Sequence, residues 1–476
     1  MRERIGRTAS VAALIALLGA CSLAPRHVRP ELPTAPDYPA DLANRTQGAS
    51  APSLDFRDFF ADSRLKMLIE LALEHNRDLR VAVARIEEAR NLYRIQRADR
   101  LPTVGISAQA SRTRAGPEAL SASGSSVGAT EPTTFERYSA GAAIAAFELD
   151  FWGRVRSLSD AALAEFLATR AAARAFQLSL IREVADAYLS WLEAHERMQL
   201  AEATVQSRQD GLRIAKRRLD AGVTSELDYR QAETLLTQAE IELAALKLQL
   251  AQNENLLEAL VGRPLDMELP DSLPLQAQIR IDALAPGLPS ELLTARPDIV
   301  AAEERLRAAR ANIGAARAAF LPSVALTGSY GYASRELDAL FENDGRTWSY
   351  GPTIDLPLFD FGRRRANLNV AHAREHIAVA NYERTIQTAF REVADALAGR
   401  RYLAEQVAAQ ERATVAQRRL AELARTRYRE GVVSHLEVLD AERNLFAAEQ
   451  ALLQVRRAEV ASLVALYVAL GGGLAR

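Results

Sequence analysis

Two phrases decide the fold: FELDFWGRVRS, Phe147 to Ser157, and LPLFDFGRRRA, Leu356 to Ala366. Both run through Asp and aromatics to Gly and then arginine. Neither carries a catalytic set, so the repetition is itself the information. The match spreads outward. Arg182-Glu183-Val184-Ala185-Asp186-Ala187 recurs as Arg391-Glu392-Val393-Ala394-Asp395-Ala396. Gly153 recurs as Gly362, Gly222-Val223 as Gly431-Val432, and Gly262 as Gly471, all 209 positions on. Upstream the offset is 220, as Asp78 answers to Asp298 and Leu101-Pro102 to Leu321-Pro322. The eleven extra residues of the first copy fall within Gly116 to Pro132, a Gly/Ser-rich stretch that reads as an exposed loop. Self-similarity on this scale marks a duplicated structural unit.

Each copy has one plan: two strand-like segments, the Asp-aromatic-Gly-Arg phrase, then a very long helix that turns and returns. Val104, Ile106, Ala108 and Ala110 alternate with Gly105, Ser107, Gln109 and Ser111. Val324, Leu326, Tyr330 and Tyr332 do likewise, as do Trp348, Tyr350, Ile354, Leu356 and Leu358. Period two with one apolar face predicts strands, at about 103–112, 136–150, 323–333 and 346–358. The segment Tyr138 to Leu149 is weak, with Ala on both faces, and Pro352 sits badly in a paired strand. Strands of about ten residues with aromatics near their ends suit an outer-membrane barrel. A small soluble β-subdomain is the alternative on the strands alone. Four strands cannot close a barrel, and lipid tolerates no open edge. Spanning strands therefore require several copies in a cyclic oligomer.

The helical segments are too long for one globular core. Arg154 to Asp220 and Arg363 to Glu430 contain no Pro, and at 1.5 Å per residue each runs roughly 100 Å. Return helices are predicted over Ser225 to Val261 and Ser434 to Leu470. A Pro-rich connector precedes a helix from about Glu291 to Phe320, and another spans about Asp62 to Asp99. Laid end to end, the shorter helices complete two further rods beside the two continuous ones. The abundant alanines permit close helix approach, and an ordinary coiled coil stays open as an alternative. At the turns, Gly222 and Gly431 fit a helix C′ position. Ser225 with Asp228, and Ser434 with Glu437, have capping-box spacing. Leu436 and Asp440 lie four apart on one helix face just inside the second turn.

The bulk numbers exclude more than they assign. A net charge of −2 with 25% charged residues gives no electrostatic case for nucleic acid across the 476 residues. No mature segment reaches the roughly 18 apolar residues of a spanning helix. Arg2, Arg4 and Arg7 followed by apolar Val11 to Leu18 form a signal peptide, 1–20, that ends in Leu18-Gly19-Ala20-Cys21. This ending resembles a bacterial lipobox, in which Cys21 would carry the lipid. Ser22, in place of an inner-membrane-retaining Asp, favours the outer membrane. Residues 21–60, rich in proline, read as an extended, lipid-anchored segment. His372-Ala373-Arg374-Glu375-His376 has the H-x-x-E-H spacing of a zinc peptidase. The duplicate places Leu163 and Leu167 there and no third ligand is evident, so neither a cofactor nor an enzyme is expected.

The lipobox, the duplicated unit and the two Gly-Val turns together resemble the outer membrane factor family, the TolC- and OprM-like efflux channels. The most specific pieces are Asp360-Phe361-Gly362-Arg363-Arg364-Arg365, Arg296-Pro297-Asp298 with Ala301-Ala302-Glu303, and Arg427-Tyr428 through Gly431-Val432 to Val438-Leu439-Asp440-Ala441. The resemblance implies a mainly α fold with a β-barrel part. Efflux repeats at 61–265 and 291–476, with long hairpins 153–261 and 362–470, flank an equatorial connector at 266–290. It also implies a homotrimer with a twelve-stranded outer-membrane barrel continued by a twelve-helix periplasmic α-barrel. The duct would be passive, with a periplasmic adaptor at the helix tips and an inner-membrane pump, RND-type, as partners. Leu436, Asp440 and Asp228 match gate positions; Gly222, Val223, Ser225, Gly431, Val432 and Ser434 would form the docking tips, and Gly153 and Gly362 the strand-to-helix joints. Protein secretion with an ABC-type pump, and a non-pore structural lipoprotein, stand as alternatives.

Overall fold

A computed structural model describes residues 23–35, 38, 49–51, 54–117, 131–280, 284–285 and 296–472. The elements β1 (Ala49–Ser50), α1 (Phe56–Phe59), α2 (Ser63–His75), α3 (Arg77–Ala98), β2 (Val104–Ala115), β3 (Thr133–Glu148), α4 (Arg154–Asp220) and α5 (Glu226–Val261) lead to β4 (Leu284–Ala285). Then come α6 (Pro297–Ala318), β5 (Ser323–Ser334), β6 (Arg346–Asp355), α7 (Arg363–Arg429) and α8 (His435–Ala469). Among the described residues no helix is long and apolar enough to cross a membrane. The chain divides into two compact units, and each draws on both repeats. One comprises Met1–Pro30, Glu87–Ala168 and Glu303–Ala380; the other comprises Glu31–Ile86, Thr169–Ala302 and Asn381–Arg476.

The first unit holds a four-stranded sheet in the order β2-β3-β5-β6, antiparallel throughout. Directly paired residues share a face. Val104 pairs with Ile144, Tyr330 with Trp348 and Val324 with Ile354, which gathers aromatic and aliphatic side chains on one face. Gly105 pairs with Ala143, Ser329 with Ser349 and Thr327 with Gly351, so the other face is small and polar. The alternation seen in each strand thus becomes one two-faced sheet.

Several boundaries move. β2 runs on to Ala115, past the expected 112, because its ladder with β3 continues to Thr133. The weak second segment is the longest strand, 16 residues, beginning at Thr133 and ending at Glu148 rather than 150. Partners on both sides hold it, so its alanines need not choose a face. β6 stops at Asp355, short of 358. Pro352, which the sequence placed badly, is paired opposite Leu326. Within one chain β6 has β5 as its sole partner among the described strands, so a donor missing on its other side breaks no ladder of that chain.

At the joints the Asp-aromatic-Gly-Arg phrase acts as a helix start. Gly153 and Gly362 have φ of 72° and 86°. The Asp150 carboxylate accepts the Arg156 N–H at 2.7 Å, and that of Asp360 accepts those of Gly362 and Arg364 at 3.1 and 3.0 Å. Each aspartate thereby satisfies donors that the first helical turn leaves unpaired. In the same unit the N-terminal segment is pinned: His27, Arg29 and Arg307 converge on the buried Glu303 carboxylate at 3.0, 3.1 and 2.9 Å.

The second unit is helical, with its core around α2 and the connector. Phe59 stacks on Tyr467 with ring centroids 4.1 Å apart. The fully buried Asp62 caps α2 and accepts bonds from Tyr188 Oη (2.7 Å), the Leu273 N–H (3.0 Å) and Gln278 Nε2 (2.9 Å). Burial first, and then the bond to Asp62, push the Tyr188 phenol up. The single helix expected over 62–99 is two helices broken at Asn76, which ends α2 and whose side chain accepts the Leu79 N–H at 2.8 Å. An Asn side chain that bonds nearby backbone competes with helix continuation, which accounts for the break. The helix expected from Glu291 is described from Pro297 as α6; residues 286–295 lie outside the described residues, as does Cys21.

The repeats superimpose in their contacts. Asn76 Nδ2 donates to the Leu260 carbonyl at 2.7 Å, and its counterpart Arg296 donates to the counterpart Ala469 carbonyl at 3.2 Å. In the other unit Arg310 pairs with Glu375 at 2.9 Å, while Arg90 lies over the Phe166 ring at the same two repeat positions.

Candidate functional site: the hairpin tips

The two helix turns lie in the second unit and share one backbone solution. At the first, the Gly222 N–H bonds to the Leu219 carbonyl and that of Val223 to the Arg218 carbonyl, both at 2.9 Å. At the second, Gly431 bonds to Tyr428 (3.0 Å) and Val432 to Arg427 (2.9 Å). Gly222 and Gly431 take φ of 69° and 76°, the left-handed conformation that this helix ending requires. Val223 and Val432 project into solvent, each about two-thirds exposed.

The caps differ. Ser225 and Asp228 close a full capping box on α5. Asp228 Oδ2 accepts from Thr224 Oγ1 (2.7 Å) and Ser225 Oγ (2.9 Å), and these bonds hold its carboxyl below the usual range. The expected second box is not made. Ser434 caps α8 without a side-chain bond, and Glu437 instead accepts from Arg427 across the turn at 2.8 Å. The stronger opposite charge takes the carboxylate that would have reached back. Leu436 is exposed, and Asp440 pairs with Arg443 at 3.1 Å. Asp228 and Asp440 thus have separate partners.

One cluster was not read from the sequence. Arg218 of α4 donates to Tyr428 Oη of α7 and lies over its ring, and His435 of α8 packs against the tyrosine, with ring centroids 4.9 Å apart. These contacts tie the first hairpin to the second. Burial depresses the His435 imidazole, the nearby Glu442 carboxylate opposes the shift, and Arg218 adds to it. The available signal was divergence between the copies: Tyr428 stands where the first has Leu219, and His435 where it has Glu226.

Neither the zinc motif nor a cavity along the second unit competes with the tips. His372 Nδ1 is 3.7 Å from Glu375, whose other oxygen is bound by Arg310. Among the described residues no group of three or more His, Cys, Asp and Glu is placed to hold a metal ion. A cavity of about 680 Å³ lies along the second unit, lined in part by Glu196, Arg418 and Glu449. Its charges are matched: Glu196 accepts the Leu275 N–H at 3.0 Å and Arg418 pairs with Glu449 at 2.7 Å.

Residues 68–263 and 288–472 match the family model described as outer membrane efflux protein. The chain is 45% identical over 463 residues to the outer membrane protein OprJ of Pseudomonas aeruginosa, covering 97% of this chain and 95% of that protein. It is 44% identical to the solvent efflux pump outer membrane protein SrpC of Pseudomonas putida, covering 96% of each. Among solved structures, the open state of the Neisseria gonorrhoeae MtrE outer membrane channel superimposes with a TM-score of 0.87 at 38% identity, over 95% of this chain and 99% of that one. The chain belongs to the outer membrane efflux protein family.

Proposed function

We propose that the chain is the passive outer-membrane exit duct of a tripartite efflux system for small molecules. In this reading three copies each give four strands to a twelve-stranded barrel and four rods to a periplasmic α-barrel. Cys21 carries the lipid anchor. Leu436 and Asp440, with Asp228 on the first hairpin, line the periplasmic gate. Gly222, Val223, Ser225, Gly431, Val432 and Ser434 present the tips to a periplasmic adaptor, and an inner-membrane pump of the RND type supplies the energy. The observation that carries this reading is the sheet: it has an apolar face, a small polar face and two edges, β2 and β6, that no other strand among the described residues pairs. Lipid does not accept such edges, so a membrane sheet of this kind closes with further copies. The solvent-pump and antibiotic-pump names of the relatives favour small molecules over secreted proteins.

The test is made in cells. Deleting the gene should raise intracellular accumulation of a hydrophobic cationic dye several-fold, and the wild-type chain should restore its export. Unchanged accumulation, together with loss of a secreted protein, would replace small-molecule efflux with protein secretion.

A further inference from the structure

The apolar face of the four-stranded sheet changes character along its length. β2 follows α3 and β6 precedes α7, so the start of β2 and the end of β6 lie at the helical end of the sheet. There the face carries Val104, Ile144, Val324 and Ile354. Further out it carries aromatics: Tyr330 opposite Trp348, then Tyr332, whose ring meets that of Phe341 edge-on with centroids 5.7 Å apart. At the far end the same face finishes in Arg112, Arg114 and Arg346. Arg112 is eight positions after Val104, which in a tilted barrel strand is a rise of roughly 20 Å, most of the apolar band of an outer-membrane barrel.

These arginines are only partly neutralised. The hairpin registers align Val104–Ile144 with Val324–Ile354, so the pair Arg112–Glu136 answers to Tyr332–Arg346 in the second repeat. The first pair is closed: Arg112 Nε lies 3.2 Å from the Glu136 carboxylate. The second sets a cation beside a phenol. Arg114 and Arg346 are exposed, and among the described residues neither has a carboxylate at ion-pair distance, although Glu342 and Asp344 shortly precede Arg346 in sequence. The far end of the apolar face therefore holds a surplus of positive charge.

We infer that Arg114 and Arg346, with Arg112, bind the phosphate groups of an anionic glycolipid in the outer leaflet of the outer membrane. Continuity with the apolar face names the occupant. Tyrosine and tryptophan such as Tyr330 and Trp348 settle at a membrane–water interface, so what lies beyond them on the outward face is the headgroup layer. A guanidinium keeps its charge and binds phosphate through paired, charge-assisted N–H bonds. Arg137 supplies the contrast: it pairs with Ser111 near the same end of the sheet but on the small polar face. This inference rests on the membrane sheet proposed above and adds its lipid.

Native mass spectrometry of the full-length protein in detergent, with lipid added, tests it. The wild-type chain should bind bisphosphorylated lipid A more tightly than net-neutral phosphatidylethanolamine. Arg114→Gln/Arg346→Gln should weaken lipid A binding by roughly tenfold and leave phosphatidylethanolamine binding unchanged. Arg137→Gln should change neither. An equal loss in Arg137→Gln, or no loss in the double variant, would overturn the site. Inorganic phosphate in millimolar excess should not displace the lipid; displacement would make the arginines a free-anion site and overturn the lipid assignment. The sheet itself is read separately through Trp348. In liposomes, bromine-labelled acyl chains should quench the part of the fluorescence that Trp348→Phe removes. No quenching would overturn the membrane sheet and this inference together, while quenching with unaltered lipid selectivity in the double variant would overturn the arginines alone.

Discussion

His435 is the titratable group at the tips whose packing has a clear sign. Tyr428 covers it, Arg218 and Glu442 face it, Asp228 lies near, and burial holds its imidazole below the ordinary 6.5. The unfolded tip binds a proton more readily than the folded one, so this contribution is complete above about pH 6.5 and is lost as pH falls through the lower folded value. Amide protection at residues 427–440, after correction for the intrinsic pH dependence of exchange, should therefore fall on acidification more than protection in the hairpin midsections. His435→Gln should flatten that difference, and an identical pH response in the variant would remove the histidine from it. The glycines give a second contrast. Gly222 has open space around a built Cβ, so Gly222→Ala meets only the positive-φ penalty, about 1–2 kcal/mol. At Gly262 the same methyl would also sit 2.6 Å from the His75 carbonyl oxygen. Gly262→Ala should lower the thermal midpoint by clearly more than Gly222→Ala, and equal shifts would mean that the close approach does not matter. The first capping box was legible because Ser225 and Asp228 are three apart and the bonds Asp228 accepts come from its sequence neighbours Thr224 and Ser225. The second was not, since Glu437 has a competing arginine whose position depends on the folded turn.

At the scale of elements, period and breakers carried most of the information. α4 begins and ends where the absence of proline and the turn at Gly222 placed it, Arg154–Asp220, and α7 ends one residue early. The break at Asn76 escaped because it is set by tertiary partners: its amide serves the Leu260 carbonyl and the Leu79 N–H together, a role invisible in a run of helix formers. β3 was legible only weakly and its bounds moved from 136–150 to Thr133–Glu148, since its alanines give no clear alternation and its pairing with strands on either side sets its length. The connector is held by one buried carboxylate. Asp62→Ala strips acceptors from Tyr188, Leu273 and Gln278 and should cost on the order of 3 kcal/mol. Urea unfolding checks this; a loss below 0.5 kcal/mol, roughly the floor for a single net hydrogen bond, would mean that water replaces the carboxylate.

For the whole molecule, the duplication was the most legible feature, and contacts recur with it in the structure: Asn76–Leu260 with Arg296–Ala469, and Arg90–Phe166 with Arg310–Glu375. The tie between hairpins through Arg218 and Tyr428 was not legible, because it joins residues 210 apart and its tyrosine stands where the other copy has Leu219. The central claim is a duct closed at its tips by Leu436 and Asp440, and single-channel recording of purified protein in planar bilayers tests it most directly. The wild-type chain should show small, infrequent conductance steps, and Leu436→Ala/Asp440→Ala should raise the conductance several-fold. Channel steps absent from both proteins would contradict a duct, and equal conductance in the two would place the gate elsewhere.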